Sequence, residues 1–373
     1  MADVQQNIET ENKQRFRSSN LELYRIICML MIVAHHFVVN SGLTSVDGPM
    51  VASPDSAKTF FLSVFGMWGK IGINCFLMIT GYFMCKSQIT IKKFLKLILW
   101  IYFYKIIIFA IFLGTGYEAI TIKRIVKLIM PIWGFHQNFT SCFIVFWLSI
   151  PFWNILVQNM TKRQHQILIV LLLGIYSILG NIPGFKITFN YITWFGVIYV
   201  ISSYIRMYPS LLFENKKLWM LVSLVAIIFA ISSVLFMQYF VKKEAFFFVS
   251  DSNKFIAVAV AVSTFIWFKN INIPYSKIIN MIGASTFGVL LIHANSNAMR
   301  QWLWKDIIDC VGHFDLPLCH LVWYSIGVVL AIFFICIAID IIRIKLFEEP
   351  FFRWYDKSNW AQRARREEKR GSA

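Results

Sequence analysis

Residues 20–40 read NLELYRIICMLMIVAHHFVVN. The stretch is mostly apolar and, at about twenty residues, long enough to cross a bilayer as one helix. It nevertheless carries Glu22, Arg25, His35 and His36. A charge near the centre of a membrane segment costs about 2.5–3.5 kcal/mol, so such residues are rare unless they have a task. At about 100° per residue, Glu22, Arg25, Met29, Ile32 and His36 fall on one stripe, with His36 about 16 Å deeper than Arg25. A cation at one interface and an imidazole deep in the membrane, on one face, predict a long ligand lying along the helix. Its charged end would sit at Arg25 and its reacting end at His36. The adjacent His35 points about 100° away, so at most one of the pair is expected in the site, and His36 shares the arginine's face.

The rest of the chain fits this reading. Of 373 residues, 58% are hydrophobic and 17% aromatic, and the mean hydropathy is +0.63. This is the composition of an all-α polytopic membrane protein. The net charge of +17 has its usual membrane-protein meaning, topology and anionic headgroups, and no nucleic-acid motif accompanies it. Ten spans are expected, beginning near residues 20, 60, 94, 140, 166, 191, 217, 255, 279 and 318. A polar tail (1–18) precedes a ten-helix membrane domain (19–346), and a basic tail (347–373) follows it. No cleavable signal is expected. Residues 118–138 read as an interfacial or re-entrant helix. Most of the 36 Lys and Arg lie on the side that holds both termini, which the positive-inside rule assigns to the cytoplasm.

Further candidates follow from placement. His293, in Ser285-Thr286-Phe287-Gly288-Val289-Leu290-Leu291-Ile292-His293, lies about 20 Å from the cytoplasmic start of the ninth span, at a depth comparable with His36. Asn295, Asn297 and Arg300 are placed to line an outer mouth. The turn with Lys86, Lys92, Lys93 and Lys96 is either ordinary inside charge or a phosphate-binding patch. Most of the seven cysteines are packing residues. Cys310 and Cys319 share a loop and can pair if it is extracellular. Cys310, His313, Cys319 and His320 form C-x2-H-x5-C-H, too tight in its second spacing for a usual zinc finger, and no metal is expected. No nucleotide loop, serine-hydrolase elbow or zincin motif is present.

Glu22-Leu23-Tyr24-Arg25, ten intervening residues and His36 resemble the first-helix motif of the membrane-bound acyltransferase-3 family, bacterial proteins that O-acylate surface glycans and related molecules. Gly72-Ile73-Asn74-Cys75-Phe76-Leu77-Met78-Ile79-Thr80-Gly81-Tyr82 is similar to the family's G-V-D-x-F-F-x-x-S-G-Y/F. Phe146-Trp147-Leu148 resembles W-F-L, Ser285 to His293 resembles S-x-F-G-x-Y-L-x-H, and Glu349-Pro350 resembles the closing E-P. The resemblance implies a ten-helix protein of the bacterial cytoplasmic membrane. It implies transfer of an acyl group, acetyl above all, from cytoplasmic acyl-CoA to a hydroxyl of a surface polysaccharide or its lipid-linked precursor.

In that scheme His36 is catalytic, as base or acyl relay. Arg25, Lys92, Lys93 and Lys96 hold the coenzyme's phosphates. His35, His293, Glu22, Asn74, Tyr82, Trp147 and Glu349 are candidates for catalysis or substrate binding, His293 by orienting the acceptor and Trp147 by stacking on a sugar. Two departures stand out: lysines where the family has arginines after the second span, and Asn74 where it has an acid. Some members of the family carry a further esterase-like domain; none is expected here, and the resemblance then implies that transfer is completed in the membrane domain or by a partner of the polysaccharide assembly machinery. Two other readings compete: a proton-coupled transporter or flippase for a glycan or lipid, because transporters also use intramembrane His and Arg, and a non-enzymatic assembly partner.

Overall fold

The computed structural model describes residues 18–130, 139–182, 185, 187, 189–242 and 244–358, which are helical, with no strand among them. The main helices are α1 (Ser19–Val39), α2 (Ala57–Gly66), α3 (Gly69–Met84), α4 (Ile91–Gly114), α5 (Ile122–Ile129), α6 (Phe139–Asn159), α7 (Lys162–Leu173), α8 (Tyr191–Met207), α9 (Lys216–Phe240), α10 (Phe255–Lys269), α11 (Lys277–His293), α12 (Leu318–Arg343) and α13 (Glu349–Lys357). Side-chain caps start many of them. Thr90 accepts from the Lys93 amide at α4, Thr161 forms a capping box with Gln164 at α7, and Ser276 accepts from the Ile279 amide at α11. Each cap satisfies an amide that the first helical turn leaves without an intrahelical partner.

A helix stands at each of the ten expected places. By length and composition, seven runs among the described residues can cross a bilayer, and an eighth is a bent pair, against the ten expected. The difference lies in α8 and α10, which are 17 and 15 residues long. Both are shorter than the ~20 residues a lipid-facing helix needs. On α8 every residue from Trp194 to Ser203 is buried, and a helix enclosed by protein has no need to match the hydrocarbon thickness. The opposite holds for α9, whose Leu221, Val225, Ile228, Phe229 and Phe236 are exposed and have only lipid to cover them. Together these features make the chain a multi-pass membrane protein.

α2 and α3 form one 28-residue run with a break at Met67–Trp68. It packs closely on α1 through glycines. A Cβ on Gly69 would lie 2.2 Å from the His35 ring, and one on Gly72 would lie 3.0 Å from the Cys28 carbonyl. Small residues of this kind let membrane helices approach at backbone distance. The start of α1 is tied to the turn before α11. Ser19 Oγ donates to Asn280 Oδ1 and accepts from the Ser276 amide, and Asn20 Nδ2 donates to the Phe268 and Lys269 carbonyls. Asn154 and Gln158 near the end of α6 donate to the Met84, Ser87 and Cys85 carbonyls after α3. Lys92 in that region bonds Asp356 of α13. The helical run from Leu318 continues through Lys357, past both the span end expected near Ile342 and the boundary expected at 346/347.

Within 118–138, expected to hold an interfacial or re-entrant helix, the structure has α5, which is amphipathic and buries no residue. Residues 131–138 lie outside the described residues. Cys310 and Cys319 are not bridged: Cys310 is buried and Cys319 exposed. No group of three or more His, Cys, Asp or Glu able to hold a metal forms among the described residues.

Candidate functional site

α11 ends at His293, and the following segment, Asn297–Asp315, turns away by 92°. The break brings Trp304, which is fully buried, edge-on to the His293 ring, with centroids 6.3 Å apart and planes at 86°. α1 packs alongside α11. His36 Nδ1 and His293 Nε2 are 2.9 Å apart, and His293 Nδ1 lies 2.6 Å from the Val289 carbonyl oxygen. A carbonyl only accepts, so His293 Nδ1 carries a proton. In the neutral ring Nε2 is then an acceptor, and His36 Nδ1 must donate to it. This hydrogen-bond chain leaves the lone pair of neutral His36 on Nε2. The arrangement selects one tautomer of each ring, as the second ring nitrogen does in many histidine sites.

A cavity of about 300 Å³ opens beside this pair. Met29, Ile32, His35, His36 and Asn40 of the first span and its end line one side, with Lys70, Ile73 and Phe76 of α3 across from them, and Tyr191 and Arg300 also contribute. The stripe read from the sequence is therefore the wall of a cavity from Met29 to His36. Two residues are placed otherwise than the stripe alone suggests. His35 also borders the cavity, because the space wraps between α1 and α3 and 100° of separation still leaves both rings on its rim. Its Nδ1 donates to the Gly66 carbonyl at 2.6 Å. Arg25 is not among the lining residues. Its Nη1 pairs with Glu22 Oε1 at 3.1 Å, and Glu22 is buried under α11, where a Cβ on Gly283 would fall 2.4 Å from its carboxylate. Of the three outer polar residues, Arg300 lines the cavity and Asn295 and Asn297 do not.

The other candidates lie elsewhere. Asn74, fully buried, donates to the Ser252 carbonyl at 2.7 Å and accepts from Trp194 Nε1 at 2.8 Å. It pins α3 to α8 and to the loop before α10, a task for an amide with both a donor and an acceptor, which a carboxylate could not perform. Tyr82 accepts from Arg206 Nη1 at 3.0 Å, with the guanidinium over its ring. Trp147 is buried, with Phe94 stacked on it at 5.7 Å, so its place in this structure is in the core. The lysines are held by separate acceptors: Lys92 by Asp356, Lys93 by Ser87 Oγ and the Gln88 carbonyl, and Lys96 by Glu348 at 2.6 Å. Glu349 is exposed, and its neighbour Glu348 makes the ion pairs.

Sequence reasoning missed two features. Lys70 lines the cavity and donates to the Tyr191 hydroxyl at 2.6 Å, with Asp251 at 3.6 Å. The second is a buried charge network. Asp340 Oδ1 accepts from Trp100 Nε1 at 2.9 Å, Tyr104 OH at 2.7 Å and Arg343 Nε at 2.8 Å, and Arg343 Nη1 reaches Glu348 at 2.7 Å. The Asp340-x-x-Arg343 spacing at the end of an apolar run was the available signal, since i,i+3 places both on one face.

Packed spans thus surround a cavity with His36, hydrogen-bonded to His293, on its wall. A family model described as an acyltransferase domain matches residues 18–341, and the chain belongs to the acyltransferase-3 family; it is a membrane acyltransferase. No curated protein and no solved structure gives a significant match.

Proposed function

We propose that the protein transfers an acyl group, acetyl in the first instance, from cytoplasmic acyl-CoA to a hydroxyl of a cell-envelope polysaccharide or its lipid-linked precursor, with both termini in the cytoplasm of a bacterial inner membrane. The observation that supports this reading best is the hydrogen-bond chain from the Val289 carbonyl through His293 to His36. It presents His36 Nε2 as a base at the wall of a cavity large enough for a thioester and a hydroxyl. His36 Nε2 takes the proton of the acceptor hydroxyl as the oxygen attacks the thioester carbonyl carbon. The tetrahedral intermediate collapses, the carbon–sulfur bond breaks, and the thiolate takes the proton back from Nε2. General-base help of this kind contributes about 10²–10⁴ in rate. The coenzyme's phosphates lie toward Arg25 and the lysines after α3. Those cations are now engaged by carboxylates or backbone oxygens, so donor binding exchanges one set of partners for another.

His293 is a positioning residue in this scheme, because it acts through His36. His293→Ala removes the acceptor for His36 Nδ1–H, and we expect kcat to fall about 10²-fold, the scale of a small misplacement of a reacting group, with KM for the donor little changed. His293→Gln, whose amide oxygen can accept the same hydrogen bond, restores a substantial part. Equal loss in both variants, or a loss confined to KM, would sink the assignment.

The overall reading is tested with purified protein in proteoliposomes, radiolabelled acetyl-CoA outside and candidate glycans within. Label transferred to glycan, or released slowly as acetate, supports it. If folded protein fails with short and long acyl donors alike, the transporter reading takes its place.

A further inference from the structure

The cavity is rich in hydrogen-bond donors and has no carboxylate among its lining residues. Two of the lining side chains are cations on separate elements, Lys70 at the start of α3 and Arg300 beyond the break after His293. Each costs energy to hold within a membrane protein, and neither is fully neutralised. Lys70 has Asp251 at 3.6 Å, but that carboxylate is 50% exposed, so water competes for it. Among the described residues Arg300 Nη1 reaches only the neutral Asn297 Oδ1, at 3.2 Å. Two donors on the lining residues, Arg300 Nε and Asn40 Nδ2, are buried with no hydrogen-bond partner among the described residues. A buried donor left unsatisfied costs about 1–3 kcal/mol, so a ligand that brings acceptors to these residues gains by completing them.

We propose that the acceptor is anionic: the molecule whose hydroxyl is acylated carries a carboxylate or phosphate group, which docks in this cavity on Lys70, Arg300 and Asn40. The inference rests on the reading of the cavity as the acceptor's place in acyl transfer. An oxyanion supplies the several lone pairs that these donors lack, and charge-assisted bonds are the stronger kind. It would also fix the acceptor's orientation, presenting a hydroxyl to His36 from the same sugar residue or the adjoining one. A neutral sugar brings no charge to Arg300 and leaves Lys70 with only its partial pairing to Asp251, so the site discriminates against it.

The test measures occupancy directly, without turnover. Full-length protein in lipid nanodiscs is treated with diethyl pyrocarbonate, and modification of His36 is followed by mass spectrometry in the presence of glucuronate, glucose 6-phosphate, glucose or glucosamine. The expected result is protection by one or both anionic sugars and little by the neutral or cationic one. Protection by glucuronate alone marks a carboxylate as the docking group, and protection by glucose 6-phosphate alone marks a phosphate. Arg300→Gln should weaken protection about tenfold or more, the scale of one charge-assisted bond, and Arg300→Lys should retain much of it. Glucose protecting as well as glucuronate would overturn the proposal, as would failure of both anions. Acetyl transfer measured in parallel separates the two readings: anion-selective protection in a protein that never transfers an acyl group would sink the enzymatic reading and leave an anion site standing.

Discussion

His36→Ala is expected to lower acyl transfer by about 10²–10⁴ while the protein remains folded. His36 is partly buried, and its ring is held by the bond to His293, not by membership of the fully packed core, so truncation enlarges an existing cavity and opens no new one. The measurement is single-turnover transfer from radiolabelled acetyl-CoA, with a thermal unfolding curve of the same preparation. Unchanged transfer by a folded variant would remove His36 from the chemistry and with it the proposed role of His293. His35→Ala is the informative companion. His35 also faces the cavity, but its Nδ1 is committed to the Gly66 carbonyl and the ring lies against Gly69, so its loss should loosen the α1–α3 contact and act less on the chemical step.

The second large effect is on stability. Asp340→Ala is expected to destabilise the fold by about 3–5 kcal/mol, the usual cost of breaking a buried ion pair by removing one partner. Asp340 is fully buried, and one of its oxygens accepts from Trp100, Tyr104 and Arg343, so truncation strands an indole N–H, a phenol and part of a guanidinium. Arg343 keeps Glu348, which places the cost toward the lower end. α11 packs directly on this group, where a Cβ on Gly288 would fall 2.5 Å from the Asp340 carboxylate. Asp340→Asn should cost less, since its amide oxygen still accepts. Unfolding in detergent by heat, followed by tryptophan fluorescence, would decide. An Asp340→Ala midpoint equal to wild type would show that α4, α11 and α12 are held by apolar packing alone.

Much of the site was legible in the sequence because a helix in a membrane has few reasons to carry ionisable groups. The stripe from Glu22 to His36 needed only helical geometry, and the depth match between His36 and His293 needed only a count along two spans. Three things were hidden. That α8 and α10 are enclosed by protein is a property of packing, which their own short apolar stretches do not display. Distant partners cannot be read from a helix turn: Glu22 stands three residues before Arg25 on the same face, whereas Asp356 and Glu348, the carboxylates of Lys92 and Lys96, lie more than 250 positions away. Lys70 gave no periodic signal, because its place in the cavity comes from the break between α2 and α3 and from Tyr191 on α8.

The hydrogen-bond chain behind His36 ends at the Val289 carbonyl, and a carbonyl of the main chain cannot pass a proton onward. In the proposed reaction a proton taken up at Nε2 therefore returns to the cavity, to the departing thiolate. In the proposed orientation an acylium equivalent moves outward as a proton moves inward, and the two charges cancel. The enzyme would then be an electroneutral exchanger, indifferent to the voltage across the membrane it spans, and driven by the thioester alone.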